Sequence, residues 1–179
     1  MVNEYLENKI IRIVFNSGTL ERFTEHYKKF HPRAKKLPLE WCGKKRLGLL
    51  PTVNRFLNVA NRKQQNNMKQ QFHEYTKFVL KENNIEKYCV DRCVVLVKHY
   101  LKTRSLFDLD GIFVKATFDA LSDYGFWEDD NYTVIEPLIF TGGYDKENAR
   151  SEVIIFPITD EYDREFVLEC VLKELCKNK

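Results

Sequence analysis

The sequence predicts an α/β (α+β) fold in which strands and helices share one core. Three observations predict it. Several apolar, β-branched runs read as strands, other segments carry apolar residues three or four apart as helices do, and turn-forming residues separate the two kinds. At 179 residues the chain is long enough to bury a normal core. The expected layout is one domain over residues 1–179, with a basic insertion at about 17–50.

The elements follow in order. Lys9 to Asn16 (KIIRIVFN) reads as a strand, and Ser17-Gly18 reads as a break. Thr19 to His31 reads as a helix capped by Thr19, with Leu20, Phe23, Tyr27 and Phe30 along one side and Pro32 just beyond. A basic irregular stretch follows. Pro51 to Asn58 reads as a turn into a second helix, expected from about Ala60 to Lys81, on which Met68, Phe72, Tyr75 and Val79 form a single apolar stripe. Asn83-Asn84 ends it. Cys93 to Leu101 (CVVLVKHYL) is the strongest strand signal, and Lys102 to Phe107 is a short basic loop. Gly111 to Tyr124 reads as a helix that buries Phe113, Ala116, Ala120, Leu121 and Tyr124, with Gly125 placed to terminate it. Thr133 to Phe140 reads as an edge strand because of Pro137. Gly142-Gly143 reads as a hairpin-type turn and Glu152 to Ile158 as the returning strand. Glu161 to Lys177 closes the chain as a helix with Val167, Cys170, Val171 and Leu175 on one side.

Charge is unevenly spread. Residues 1–74 hold 15 Lys and Arg against 6 Asp and Glu, a balance of +9, which leaves −6 for the remainder of a chain whose net charge is +3. A basic half beside an acidic half fits a protein that binds a polyanion with one surface and holds cations with another. The cations of Lys35, Lys36, Lys44, Lys45, Arg46, Arg55 and Arg104 are the candidate phosphate contacts. The five cysteines are odd in number and show no C-x-x-C, so reduced thiols are expected. The polar, acidic start is unlike a secretory signal and no apolar run approaches membrane-spanning length, so a cytoplasmic protein without membrane association is expected. G-x-S-x-G, P-loop and G-x-G-x-x-G patterns do not occur. Cys93 and His99 fall on one face of a strand, too far apart to act as a nucleophile–base pair.

The chemistry concentrates in Asp108-Leu109-Asp110-Gly111, then Lys115-Ala116, then Asp119-Ala120-Leu121, then Gly125-Phe126-Trp127-Glu128-Asp129-Asp130. On extended backbone at a strand end, Asp108 and Asp110 would point to the same side. Two hard oxygen ligands there attract Mg²⁺ or Mn²⁺. Asp129 or Asp130 can supply a third carboxylate if the chain folds back after Gly125. Lys115 could then hold a phosphate or steady the charge that grows during attack. Asp108 or Asp110 could equally be a helix cap, and Asp129-Asp130 a solvated turn.

Taken jointly, DLDG–IFV–KATFDAL–SDYGFWEDD resembles the signature of the RusA family of Holliday junction resolvases. The likeness is close over about 25 residues, continues loosely to Phe156, and includes Pro51-Thr52-Val53-Asn54-Arg55 upstream. It implies a small mixed β-sheet packed with helices, a homodimer that binds branched DNA, and paired nicks made with Mg²⁺ or Mn²⁺. It also implies a bacterial or phage origin. Residue by residue, Asp108, Asp110 and Asp130 fall on the metal-binding acids, with Asp129 beside them, and Lys115 falls on the lysine of the catalytic set. Three departures stand out: Gly111 replaces an Asn, one extra residue separates Asp110 from Lys115, and about 35 residues, Ser17 to Pro51, follow the first strand. These departures keep two other readings in view: a DNA-binding protein without catalysis, and a nuclease for flaps or other branched or single-stranded nucleic acid.

Overall fold

The computed structural model describes residues 1–37, 50–58, 61–104 and 108–176, apart from the side chains of Asn3, Leu6, Glu7, Arg55 and Asp110. Among the described residues it is an α+β fold built on a four-stranded mixed sheet. In chain order the elements are α1 (Val2–Asn8), β1 (Ile11–Asn16), α2 (Ser17–Phe30), α3 (Val53–Leu57), α4 (Arg62–Glu82) and β2 (Arg92–Leu101). There follow a 3₁₀ turn (Leu109–Gly111), α5 (Lys115–Tyr124), β3 (Ile135–Tyr144), β4 (Arg150–Ile158) and α6 (Arg164–Cys176). The strand order is β1-β4-β2-β3. β4 runs antiparallel to both β1 and β2, while β2 and β3 are parallel, joined through α5.

Two apolar layers sandwich the sheet. Alternation along β2 sends Cys93, Val95 and Val97 to one face, where they meet Phe23, Met68, Phe72, Tyr75, Val79 and Leu121 from α2, α4 and α5. Val94 and Leu96 go to the other face and meet Tyr5, Val167, Cys170 and Val171 from α1 and α6. The predicted α4 stripe is the heart of the first layer: Met68, Phe72, Tyr75 and Val79 are all buried. Fully burying a side chain of this size contributes roughly 1.5–3 kcal/mol.

Several expectations are corrected. Ser17-Gly18 is not a break, because Asn16 caps α2: its Oδ1 accepts from the Thr19 N–H at 3.0 Å, and Thr19 Oγ1 accepts from the Asn16 N–H at 3.2 Å. Thr19 is therefore the third residue of the helix and not its cap. α2 lies within the stretch expected to be an insertion, and its Leu20 and Phe23 belong to the core. α1 was not expected. It is held by Tyr5, whose hydroxyl donates to the Pro157 carbonyl at 2.8 Å. Gly142 and Gly143 lie inside β3, not at a hairpin turn, and β2 separates β3 from β4. A Cβ at Gly143 would sit 2.9 Å from two carbons of the Tyr100 ring, so glycine there makes room for an aromatic on the neighbouring strand. The edge position inferred from Pro137 holds, and the β2–β3 register slips by one residue between Cys93/Ile135 and Val95/Leu138, where Glu136 and Pro137 lie.

Charged groups also enter the second layer. Glu152, nearly fully buried, accepts from Arg12 and Arg150, while buried Glu174 accepts from Arg12 at 2.7 Å and lies 3.4 Å from the Lys98 ammonium. Removing one partner of such a network strands the others. Glu152→Gln is expected to cost about 3 kcal/mol, at the low end for a buried pair because Arg12 keeps solvent contact. A urea titration checks this, with a lower midpoint and an unchanged slope as the expected outcome.

Candidate active site

The segment from Leu109 to Asn131 is positioned by its apolar members. Phe113 donates its N–H to the Pro51 carbonyl at 2.8 Å, and its ring stacks on Phe56 at 4.4 Å. Thr52 bridges to Ile112. The Pro51–Arg55 turn and the acidic segment are thus one structural unit, although about 55 residues separate them in sequence. α5 begins at Lys115, four residues later than expected, because Leu109–Gly111 form a 3₁₀ turn instead of a first helical turn. Lys115 is therefore the first residue of the helix and not a turn within it.

The far end of α5 is fixed by Gly125, which adopts a left-handed conformation (φ 87°) and donates its N–H to the Leu121 and Ser122 carbonyls. Phe126 and Trp127 then plunge into the core; Trp127 packs edge-on against Phe118 and donates from Nε1 to Ser122 Oγ at 2.8 Å. These anchors turn the chain back along α5, and Asp130 arrives beside Lys115, with Nζ to Oδ2 at 3.3 Å.

The same ammonium lies 2.7 Å from Asp119, one turn along α5, and Asp119 also pairs with Lys69 of α4 at 2.7 Å. The result is a cluster of two lysines and two carboxylates. The hydrogen bond to Asp119 chiefly, with that to Asp130, holds the Lys115 ammonium more firmly protonated than usual. Burial works against ionisation of Asp119, yet the bonds from Lys115 and Lys69 outweigh it and keep its carboxyl below the ordinary range. Asp129 differs from Asp130. It folds onto its own loop, accepting the Asp130 N–H on Oδ1 and the Asn131 amide on Oδ2, which makes it a brace for that loop. A recess of about 380 Å³ opens beside Lys115 and Asp130, floored by Phe118, Ile135 and Leu138 and flanked by Tyr132, whose side chain is 86 % exposed.

Asp108 and Asp110 do not end a strand, because β2 closes at Leu101; Asp108 alone keeps extended backbone, and Asp110 lies in the 3₁₀ turn. Asp108 precedes the 3₁₀ turn, is exposed and makes no side-chain capping bond; Asp110 lies within the turn and its carboxylate is outside the described residues. In donor type these acids suit Mg²⁺ or Mn²⁺. Among the described residues, no three His, Cys, Asp or Glu side chains converge as a metal site. Of the candidate phosphate contacts, Lys35 and Lys36 flank a groove beside α2, and the Arg104 guanidinium lies 5.2 Å over the Tyr144 ring. Lys44, Lys45 and Arg46 lie outside the described residues, as does the Arg55 side chain. No described helix is long and apolar enough to cross a membrane, and Cys89, Cys93, Cys170 and Cys176 are free thiols.

Sequence reasoning missed Lys69 and the pairing role of Asp119. The four-residue spacing of Lys115 and Asp119 was a usable signal. Lys69, on another helix, gave none.

No protein-family model matches the chain, and no curated protein matches it.

The Lys69–Asp119 pair is partly exposed, so its coupling is expected to be below about 1 kcal/mol. A double-mutant cycle of Lys69→Ala and Asp119→Asn, read by chemical denaturation, measures it. A larger value would mark the cluster as part of the folding core.

Proposed function

We propose that the protein is a metal-dependent endonuclease that cuts four-way DNA junctions by paired nicks, acting as a homodimer. The observation that carries this reading is the acidic signature from Asp108 to Asp130, whose distant members Lys115 and Asp130 meet at 3.3 Å. Acids recurring along a segment that would face a phosphate backbone are unfavourable for a protein that only binds DNA, because like charges repel; they are useful where a cation mediates the contact.

Asp108, Asp110 and Asp130 would hold Mg²⁺ or Mn²⁺. When bound, the cation supplies Lewis acidity and offsets charge on the phosphate. Lys115, held by Asp119 and Asp130 at the start of α5, is in place to take a non-bridging phosphate oxygen by exchanging one carboxylate for it. Asp129 keeps the Asp130 loop in shape, and Phe126 and Trp127 keep that loop against α5.

Asp110→Asn preserves shape but removes a charge. Cleavage of a labelled four-way junction in Mg²⁺ should fall a hundredfold or more, on the order of 3 kcal/mol in the barrier, while junction binding persists or tightens. Unchanged cleavage would place the chemistry elsewhere; binding without any cleavage by the parent protein would leave a DNA-binding protein.

Paired nicks need two active sites, so light scattering at micromolar concentration should give twice the 21.4 kDa chain mass. A monomer at that concentration would contradict the paired-nick scheme.

A further inference from the structure

Where α2 ends against the N-terminal half of α4, a groove of about 980 Å³ opens, at the upper end of the range for ligand pockets. Its lining is chemically one-sided. Arg33, Lys35, Lys36 and Lys63 supply four cations, and among the described residues neither Asp nor Glu lines the groove. At the margin Glu74 lies 3.7 Å from His31 Nε2. Side-chain amides of Asn61, Gln64 and Asn67 line the α4 wall, offering both donors and acceptors.

Aromatic rings complete the lining. Tyr27 and His31 stack on one another at 4.2 Å, one turn apart on the end of α2. Phe30 is 70 % exposed at the same groove although it belongs to a helix whose other apolar residues are largely covered. A polyanion alone would use the cations and the amides but has no use for an exposed phenyl ring. An unpaired base does, since stacking on an aromatic face is the common way single strands are held alongside a basic groove. Paired bases in a duplex keep their faces stacked on one another and cannot reach such a ring.

We infer that this groove binds a single-stranded segment of DNA, with the backbone phosphates on Arg33, Lys35, Lys36 and Lys63 and a base against Phe30 and His31. The site is formed by α2, the residues after it and α4, apart from the acidic cluster; single-strand binding does not rest on the nuclease reading, while the choice of DNA over RNA does.

Fluorescence anisotropy of a short labelled oligothymidine, measured at low salt with EDTA so that no cleavage occurs, tests it. The single strand should bind about tenfold more tightly than a duplex of equal length. Lys35→Ala with Lys63→Ala should weaken single-strand binding about tenfold and lower the salt slope by roughly 0.7 per lost contact. Phe30→Ala should weaken the single strand about tenfold, leave duplex binding and the thermal midpoint unchanged, and be rescued by Phe30→Trp. Equal affinity for duplex, indifference to Phe30→Ala, or tighter binding of an oligouridine of the same length would each overturn the inference. Loss of junction cleavage with this binding intact would count against the nuclease reading alone.

Discussion

The structure depends on the enclosure of β2. From Cys93 to Leu101 every residue is buried, with β4 bonded along one edge and β3 along the other. A strand closed on both faces and both edges leaves little solvent for its polar groups, so leaving them without a partner within the fold is costly. The first half of β2 is apolar and makes no such demand. The second half does: Lys98 lies against Glu174 on α6, and His99 Nδ1 shares a 2.8 Å hydrogen bond with Ser151 Oγ, which accepts the Leu50 N–H. Tyr100 packs beneath the Arg150 guanidinium at 4.0 Å and fills the space that Gly143 leaves. One strand end thereby fixes the position of β4, β3, α6 and the approach to Pro51. The chain then leaves that end for the acidic segment, and Pro51 returns to hold Phe113.

Much of this was legible in the sequence, for identifiable reasons. The stripe of Met68, Phe72, Tyr75 and Val79, the run from Cys93 to Leu101 and the stop at Gly125 each carry a periodic or conformational signature that tertiary context had no cause to override. The errors came where a local signal was answered by distant residues. Gly142-Gly143 has the composition of a turn, but Tyr100 on another strand needs the missing side chains more than a turn would. The start of α5 was misplaced because Pro51 and Thr52, some 60 residues earlier, capture the backbone of Ile112 and Phe113. α1 has a largely polar sequence, and among its described side chains Tyr5, with Val2 beside the same layer, docks it.

The candidate site was legible to a similar degree. Sequence spacing left open whether Asp130 returns toward Lys115; the burial of Phe126 and Trp127 brings it there. Nothing in the spacing distinguished Asp129 from Asp130, because the difference lies in which one bonds its own loop. The ammonium of Lys115 shared between two carboxylates is a contact that depends on an entire helix and the loop after it. Its electrostatics follow from position more than from depth: half of the side chain is exposed, so the attraction is screened and exchangeable.

The two edges of the sheet have a bearing on solution behaviour. An edge strand offers unpaired backbone groups on which another chain can grow. Here β3 carries a register slip and a proline that cannot donate, and β1 carries Arg12, whose charge is drawn inward to Glu152 and Glu174. A foreign strand added to β3 would meet an irregular ladder; one added to β1 would lie along a strand whose charge is committed to the interior. The same residues that complete the ionic layer and mark the outer strand therefore guard the sheet against templated aggregation.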